Sequence, residues 1–407
     1  MRKLRIAFLL TVLLSLLAGY ILSGSSGQGI DEKAYLEEIA PFIKFHEKRG
    51  SPPYYPSDSG IIAFNSYDIR PDIRGYAGPI KLLIAIDKDG IIRGLKILEH
   101  RETKNYVHYM ERPEYLSQFI GRSVRDPLEI DRDIDGISRA TVSVEALART
   151  VRESSRLMAS EVFHIEVPED GGASHSSVPL IVYSVLFISS IIFYYLSARK
   201  KNFLRFRDLF LISGIFIVGL YLSSPFSIIH IYNLLLQRWS SSLFFYIFVI
   251  TVLLSILVAG RFYCGWLCPF GALSEFAGRL PLKKWSIPYN LDLPSRRLKY
   301  IMLFLTTALV LITGVPEFGL YETYLTLFSF HGNILQWSLV AVMVLANLRV
   351  RRFWCRYLCP AGAFIGLFSR GEKGYNGSQD CPVENLSEPP SSECIRCQRC
   401  LRSYRNV

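Results

Sequence analysis

Two nine-residue segments, 91 positions apart, constrain this chain more than any other feature. Arg261-Phe262-Tyr263-Cys264-Gly265-Trp266-Leu267-Cys268-Pro269 is matched by Arg352-Phe353-Trp354-Cys355-Arg356-Tyr357-Leu358-Cys359-Pro360. Gly271, Ala272 and Arg279 recur as Gly362, Ala363 and Arg370, and Pro225 recurs as Pro316. Each unit follows an apolar stretch and ends in Cys-x3-Cys-Pro. Repeated units usually stack to form one shared core or site. The second half is therefore predicted to be paired helical hairpins that bring Cys264, Cys268, Cys355 and Cys359 to one place. Cysteines four apart share a face of a continuous helix. A lone Cys-x3-Cys is more often packing, but a repeated pair with Pro after each second Cys points to metal or cluster binding.

Hydropathy and charge set the expected frame. The chain has 407 residues, 50% of them hydrophobic, and a formal charge of +11. That excess does not mark a nucleic-acid binder, because it is confined to the apolar part. Residues 24–178 hold 20 basic and 25 acidic residues, and 179–407 hold 23 basic and 10 acidic. A spanning helix needs about 20 mostly apolar residues. Six stretches are candidates: Ile6–Leu22, Val178–Leu196, Leu209–Ser223, Leu243–Ala259, Tyr300–Val315 and Ile334–Leu348. Every second connection is basic, which by the positive-inside tendency predicts about six transmembrane helices with both termini cytoplasmic. The first stretch also suits a cleaved signal peptide. The expected division is a helix or signal anchor at 1–23, an α+β extracytoplasmic domain at 24–178, an all-α polytopic membrane domain at 179–370 and a short Cys-rich cytoplasmic tail at 371–407.

Within residues 30–165, Lys81–Ile86, the turn Asp87–Gly90 and Ile91–Leu98 read as a β-hairpin. Ser143–Phe163 reads as a helix, with Val144, Leu147, Val151 and Met158 near helical spacing.

All eight cysteines fall on the expected cytoplasmic side: the four of the repeat and Cys381, Cys394, Cys397 and Cys400. Structural disulfides would show the opposite bias, so grouped thiols there suggest metal. Cys394-x2-Cys397-x2-Cys400 has the spacing that holds three corners of a cubane cluster. The ferredoxin run would place its next Cys at 404, which is Tyr here, so Cys381 is the candidate fourth ligand. Four thiolates also make a structural zinc site. His230 and His331, near helix ends, are candidates for haem or quinone, or ordinary polar contacts. Trp239, Trp337, Tyr232 and Tyr324 are read as an interfacial aromatic belt.

Asp135-Gly136-Ile137-Ser138-Arg139-Ala140-Thr141 precedes the long helix. Locally Thr141 suits an ordinary helix cap, and a helix N-terminus also suits a phosphate. The segment resembles the flavinylation motif of FMN-binding domains through Asp135, Ser138, Ala140 and Thr141, with Arg139 standing where that motif has Gly. Gly75-Tyr76-Ala77-Gly78-Pro79-Ile80-Lys81 and His100-Arg101-Glu102-Thr103 also resemble that domain, whose His100, Glu102 and Thr103 equivalents lie near the flavin. With the Cys-x3-Cys-Pro repeat, the chain resembles NosR/NirI-type membrane flavoproteins, in size the shorter RdhC/PceC type associated with reductive dehalogenases. The resemblance implies FMN covalently bound through Thr141, iron–sulfur clusters of the [4Fe-4S] kind and an electron-transfer component rather than a stand-alone enzyme. Electrons would pass between cytoplasmic-side clusters or the quinone pool and the extracytoplasmic flavin. Expected partners are membrane lipid, an extracytoplasmic reductase, quinol or a cytoplasmic ferredoxin, and a flavin transferase. A membrane-bound redox regulator or maturation factor for a respiratory reductase would use the same sites.

Overall fold

The computed structural model describes residues 2–23, 31–75, 78–100, 109–137, 141–168, 177–240, 242–285, 287–319, 321–369, 381, 383 and 392–399. The chain divides into two compact units. One comprises Ser26–His175 and Gln237–Leu243; the other comprises Met1–Ser25, Ser176–Leu236 and Phe244–Val407.

The first unit is built on an antiparallel meander, β1 (Tyr55–Pro56), β2 (Ile62–Asn65), β3 (Lys81–Ile86) and β4 (Ile92–Glu99), in sheet order β1-β2-β3-β4. Side chains alternate between the faces of a strand. Along β3, Leu82, Ile84 and Ile86 enter one core while Leu83 and Ala85 enter another. The β3–β4 turn closes on Asp87, whose Oδ1 accepts from the N–H groups of Asp89 and Ile91, both at 2.9 Å. Gly90 takes φ +77° there, where a side chain would meet Val124.

The helix Lys33–Ile39 lies against β4. A Cβ at Gly94 would stand 1.9 Å from the Ile39 carbonyl oxygen, so only glycine permits this approach. The opposite face is covered by the long helix Thr141–Phe163, which buries Val144, Leu147, Val151 and Met158 at the expected spacing.

The second unit is helical, and it corrects the expectation of about six transmembrane helices. Among the described residues, two helices are long and apolar enough to cross a membrane: α1 (Arg2–Ser23, apolar over Arg2–Ile21) and α2 (Val178–Arg199). The number rises to three only if a pair bent by 105° is counted as one span. The stretch at 209–223 changes from α-helix (Arg207–Ser213) to π-helix (Gly214–Tyr221). Next come α3 (Ile228–Leu235), α4 (Leu243–Ala259) with 17 residues, α5 (Phe262–Trp266) and α6 (Pro269–Arg279).

Helix α7 (Leu298–Thr313) has 16 residues and stops at Gly314, which is left-handed. Helix α8 (Thr323–Ser329) ends at left-handed Phe330 and turns sharply into α9 (Ile334–Arg349), also of 16 residues. At 1.5 Å per residue, 16 residues reach roughly 24 Å, short of a hydrocarbon core of about 30 Å. The chain closes with α10 (Phe353–Tyr357) and α11 (Pro360–Phe368). Helix α1 packs on α7 and α11: the Phe8 ring lies 5.5 Å from Phe304 and 6.2 Å from Phe364, and Arg5 donates to the Ser369 carbonyl at 2.9 Å.

Candidate redox sites

Each Cys-x3-Cys-Pro segment spans a helix break, which corrects the picture of one continuous helical face. Cys264 lies in α5 and Cys355 in α10, while Cys268 and Cys359 are the N-caps of α6 and α11. Proline at the first helical position is preorganised for the start and lacks only an N–H that would be unpaired anyway. The Gly271 N–H points at Cys268 Sγ (3.4 Å) and the Gly362 N–H at Cys359 Sγ (3.1 Å). Both sulfurs thus sit where backbone donors and the helix dipole favour negative charge. Burial pushes the Cys268, Cys355 and Cys359 thiols up, and proximity to one another and to Cys264 adds to this. A metal would replace the protons of such neighbouring thiols.

A shell of buried ion pairs braces the cysteines. Glu275 in α6 accepts from Arg207 at 2.6 and 2.7 Å and from Arg352 at 2.6 Å, and Arg399 of the tail lies 2.9 Å away. Glu393, beside Cys394, takes Arg261 at 2.8 Å, Tyr300 at 2.9 Å and Lys299. Asp292 takes Arg296 at 2.7 Å and Arg356 at 2.8 Å. The repeat arginines cross over. A Cβ at Gly271 would meet Arg352 at 3.4 Å, and one at Gly362 would meet Arg261 at 3.1 Å. Each arginine therefore covers the helix start of the other half.

The tail packs on the first repeat unit. Cys381, Val383, Ile395 and Cys397 form one apolar cluster, against which Cys264 packs. A Cβ at Gly265 would fall 1.9 Å from the Ile395 carbonyl oxygen, and Trp266 Nε1 donates to the Arg396 carbonyl at 3.1 Å. Cys394 is half-buried and Cys400 lies outside the described residues. Among the described residues, no three His, Cys, Asp or Glu side chains converge as a metal-binding group. The donor type and the N–H⋯S contacts fit sulfur-ligated metal; iron and zinc are not separated by them.

In the first unit Thr141 is the first residue of the long helix. Asp135 is exposed, and its N–H donates to Gln118 Oε1 at 2.8 Å. His100 Nε2 stands 3.3 Å from Glu111, while its buried Nδ1 has no hydrogen-bond partner. The buried Tyr115 hydroxyl is also unpartnered; burial, then the Asp135 charge, pushes its pKa up. Ser138, Ala140, Glu102 and Thr103 lie outside the described residues. Orphaned polar atoms beside the sequence motif are what a bound polar cofactor would satisfy.

The two histidines make the ordinary polar contacts that the sequence allowed, and the aromatic-belt expectation fails at Tyr232 and Tyr324. His230 is buried in a capping box with Ser227, its ring stacked against Phe226 (5.7 Å) and Phe245 (5.5 Å), so it is a packed cap. His331 Nδ1 contacts the Ser329 carbonyl at 2.5 Å. Tyr232 and Tyr324 are buried, hydrogen-bonded to Thr306 and to the Phe226 carbonyl, and form no lipid-facing belt. The charged shell was missed because its partners are far apart in sequence and carry no local spacing.

Two family models match these regions: the FMN-binding domain over residues 75–155, and the 4Fe-4S binding domain over 241–288 and 334–376. Over part of its length the chain is similar to NosR and NirI. It is 28% identical over 247 residues to the regulatory protein NosR of Stutzerimonas stutzeri, covering 51% of this chain and 33% of that protein. It is 30% identical over 257 residues to the protein NirI of Paracoccus denitrificans, covering 54% and 38%. The putative electron transport protein YccM of Escherichia coli is 31% identical over 177 residues, covering 36% and 49%. The chain thus spans about half the length of YccM and a smaller share of NosR and NirI. These likenesses do not single out the dehalogenase-associated RdhC/PceC type.

Proposed function

We propose that this protein is a membrane-attached redox regulator or maturation factor for a respiratory reductase, carrying one flavin and sulfur-ligated iron. The observation that supports it most is the union in one chain of an FMN-binding domain with paired, helix-capping thiols, together with the likeness to NosR, a protein named as regulatory. Thr141 would hold the FMN phosphate at the helix start, with Asp135 six residues before it, and His100 would belong to the same site on the strength of the resemblance alone. Cys264, Cys268, Cys355 and Cys359 would serve one cluster, and Cys381, Cys394, Cys397 and Cys400 another. When bound, flavin exchanges one or two electrons and an iron–sulfur cluster normally one. The chain's own part is to hold the groups, exclude water through the buried shell and set their potentials through Glu275, Glu393 and the arginines around them.

The second reading is electron transfer between cytoplasmic-side clusters or quinol and an extracytoplasmic flavin serving a reductase. The likeness to a putative electron transport protein favours it. Lipid, a reductase, quinol or ferredoxin, and a flavin transferase are the proposed partners in either case. One anaerobic preparation decides the first point. Iron, sulfide and flavin should co-purify, and flavin fluorescence should survive a denaturing gel and vanish in Thr141→Ala. Zinc with no flavin overturns both readings. Quinol-driven flavin reduction at turnover rates would favour transfer over regulation.

A further inference from the structure

A cleft of about 200 Å³ opens on the first unit, and one wall comes from a segment remote in sequence. Tyr67, Arg74, Gly78, Pro79, Lys81 and Glu99 line one side; Gln237, Arg238 and Trp239 line the other. All of them belong to the same compact unit, which takes in Gln237–Leu243 together with Ser26–His175. In sequence this segment lies between α3 and α4, outside the residues matched by the FMN-binding family model.

Three observations point to the occupant. First, one wall comes from the end of one flavin-like signature and from the residue just before the other. Gly78, Pro79 and Lys81 end one of them, and Glu99 precedes His100, whose buried Nδ1 has no hydrogen-bond partner. Second, the lining is polar and carries the cationic side chains Arg74, Lys81 and Arg238 with the carboxylate Glu99. Lys81 is held in place by its ion pair with Glu99 and by the Tyr67 ring, 4.9 Å from its Nζ. Third, Trp239 is 48% exposed, so part of a large flat ring is open to contact. A site for a whole drug-sized ligand usually measures about 300–1,000 Å³. This one takes one edge of a flat, polar ring system.

We propose that the Gln237–Trp239 segment is a strap over the flavin site, with Trp239 against the isoalloxazine ring and Arg238 beside its pyrimidine edge. This rests on the FMN reading above and deepens it. Positive charge at that edge favours the reduced, more negative ring and so raises its midpoint potential. An indole in contact with the ring quenches its emission.

The test uses the full-length protein made with a flavin transferase, as wild type, Trp239→Leu, Arg238→Gln and a control, Trp285→Leu, whose side chain is exposed elsewhere. Flavin on a denaturing gel measures covalent loading; emission of the folded protein and a redox titration measure the strap. Trp239→Leu should load like wild type and emit several-fold more strongly when folded. Arg238→Gln should titrate at a more negative potential. Trp285→Leu should match wild type in both. Wild-type loading with emission and potential unchanged in both strap variants overturns the strap alone. A wild type that carries no flavin, covalent or bound, overturns the FMN reading and the strap with it.

Discussion

Arg261 and Arg352 hold equivalent places in the repeat, and each serves the opposite half. Their guanidinium groups reach the start of the other unit's Cys-Pro helix and then a carboxylate, the half-buried Glu393 for Arg261 and the buried Glu275 for Arg352. Removing one partner of a buried pair leaves an uncompensated charge, at a cost of about 3–5 kcal/mol. Glu275→Gln strands Arg207 and Arg352, so it should lower thermal stability in detergent by that order; an unchanged melting curve would show the shell to be solvated. Cys359→Ser should reduce iron per chain while leaving gel-detectable flavin intact, measured on one sample.

Another residue gives a pH prediction. Burial raises the Glu32 carboxyl, but bonds from Asn65 (2.7 Å), Lys48 (2.8 Å) and Tyr55 (2.9 Å) outweigh it and hold it below 4.5. A carboxylate lowered on folding stabilises above its unfolded pKa and loses that contribution as pH falls through the folded one. The stability gap between wild type and Glu32→Gln should be widest near neutrality and close in acid. A gap that grows on acidification contradicts this.

At the scale of elements, the sequence was most legible where side-chain period and backbone geometry agree. The alternation in Lys81–Ile86 and the Asp-rich turn marked the hairpin, and Val144, Leu147, Val151 and Met158 marked the long helix. It was least legible where backbone breaks interrupt an apolar run. Hydropathy counts apolar residues and registers neither the π-helical stretch at Gly214–Tyr221 nor the left-handed stops at Gly314 and Phe330. The cysteines were visible by spacing, but the break between Leu267 and Pro269 that makes Cys268 a cap was not. Glu275 and Glu393 were invisible because their partners stand up to 132 residues away. The tail's seat supplies a prediction here. Gly265→Ala forces a methyl group against the Ile395 carbonyl, so maleimide labelling of buried Cys381 and Cys397 in metal-free protein should accelerate. Equal labelling rates would mean that the tail is held elsewhere.

For the molecule as a whole, membrane attachment rests on the two long apolar helices. Val185 and Ile188 are exposed on α2 (64% and 58%), as lipid-facing residues should be. A lysine at a bilayer centre costs about 2.5–3.5 kcal/mol, so Val185→Lys with Ile188→Lys should lower recovery in carbonate-washed membranes. Full recovery would remove α2 from the lipid-facing set.

The repeat is not symmetric at one turn: Gly265 faces the tail where its counterpart Arg356 binds Asp292. Two identical halves would offer the C-terminal segment two berths. Glycine in one and a bulky cation in the other leave a single berth, so the duplication doubles the thiols without making the chain's own ending ambiguous.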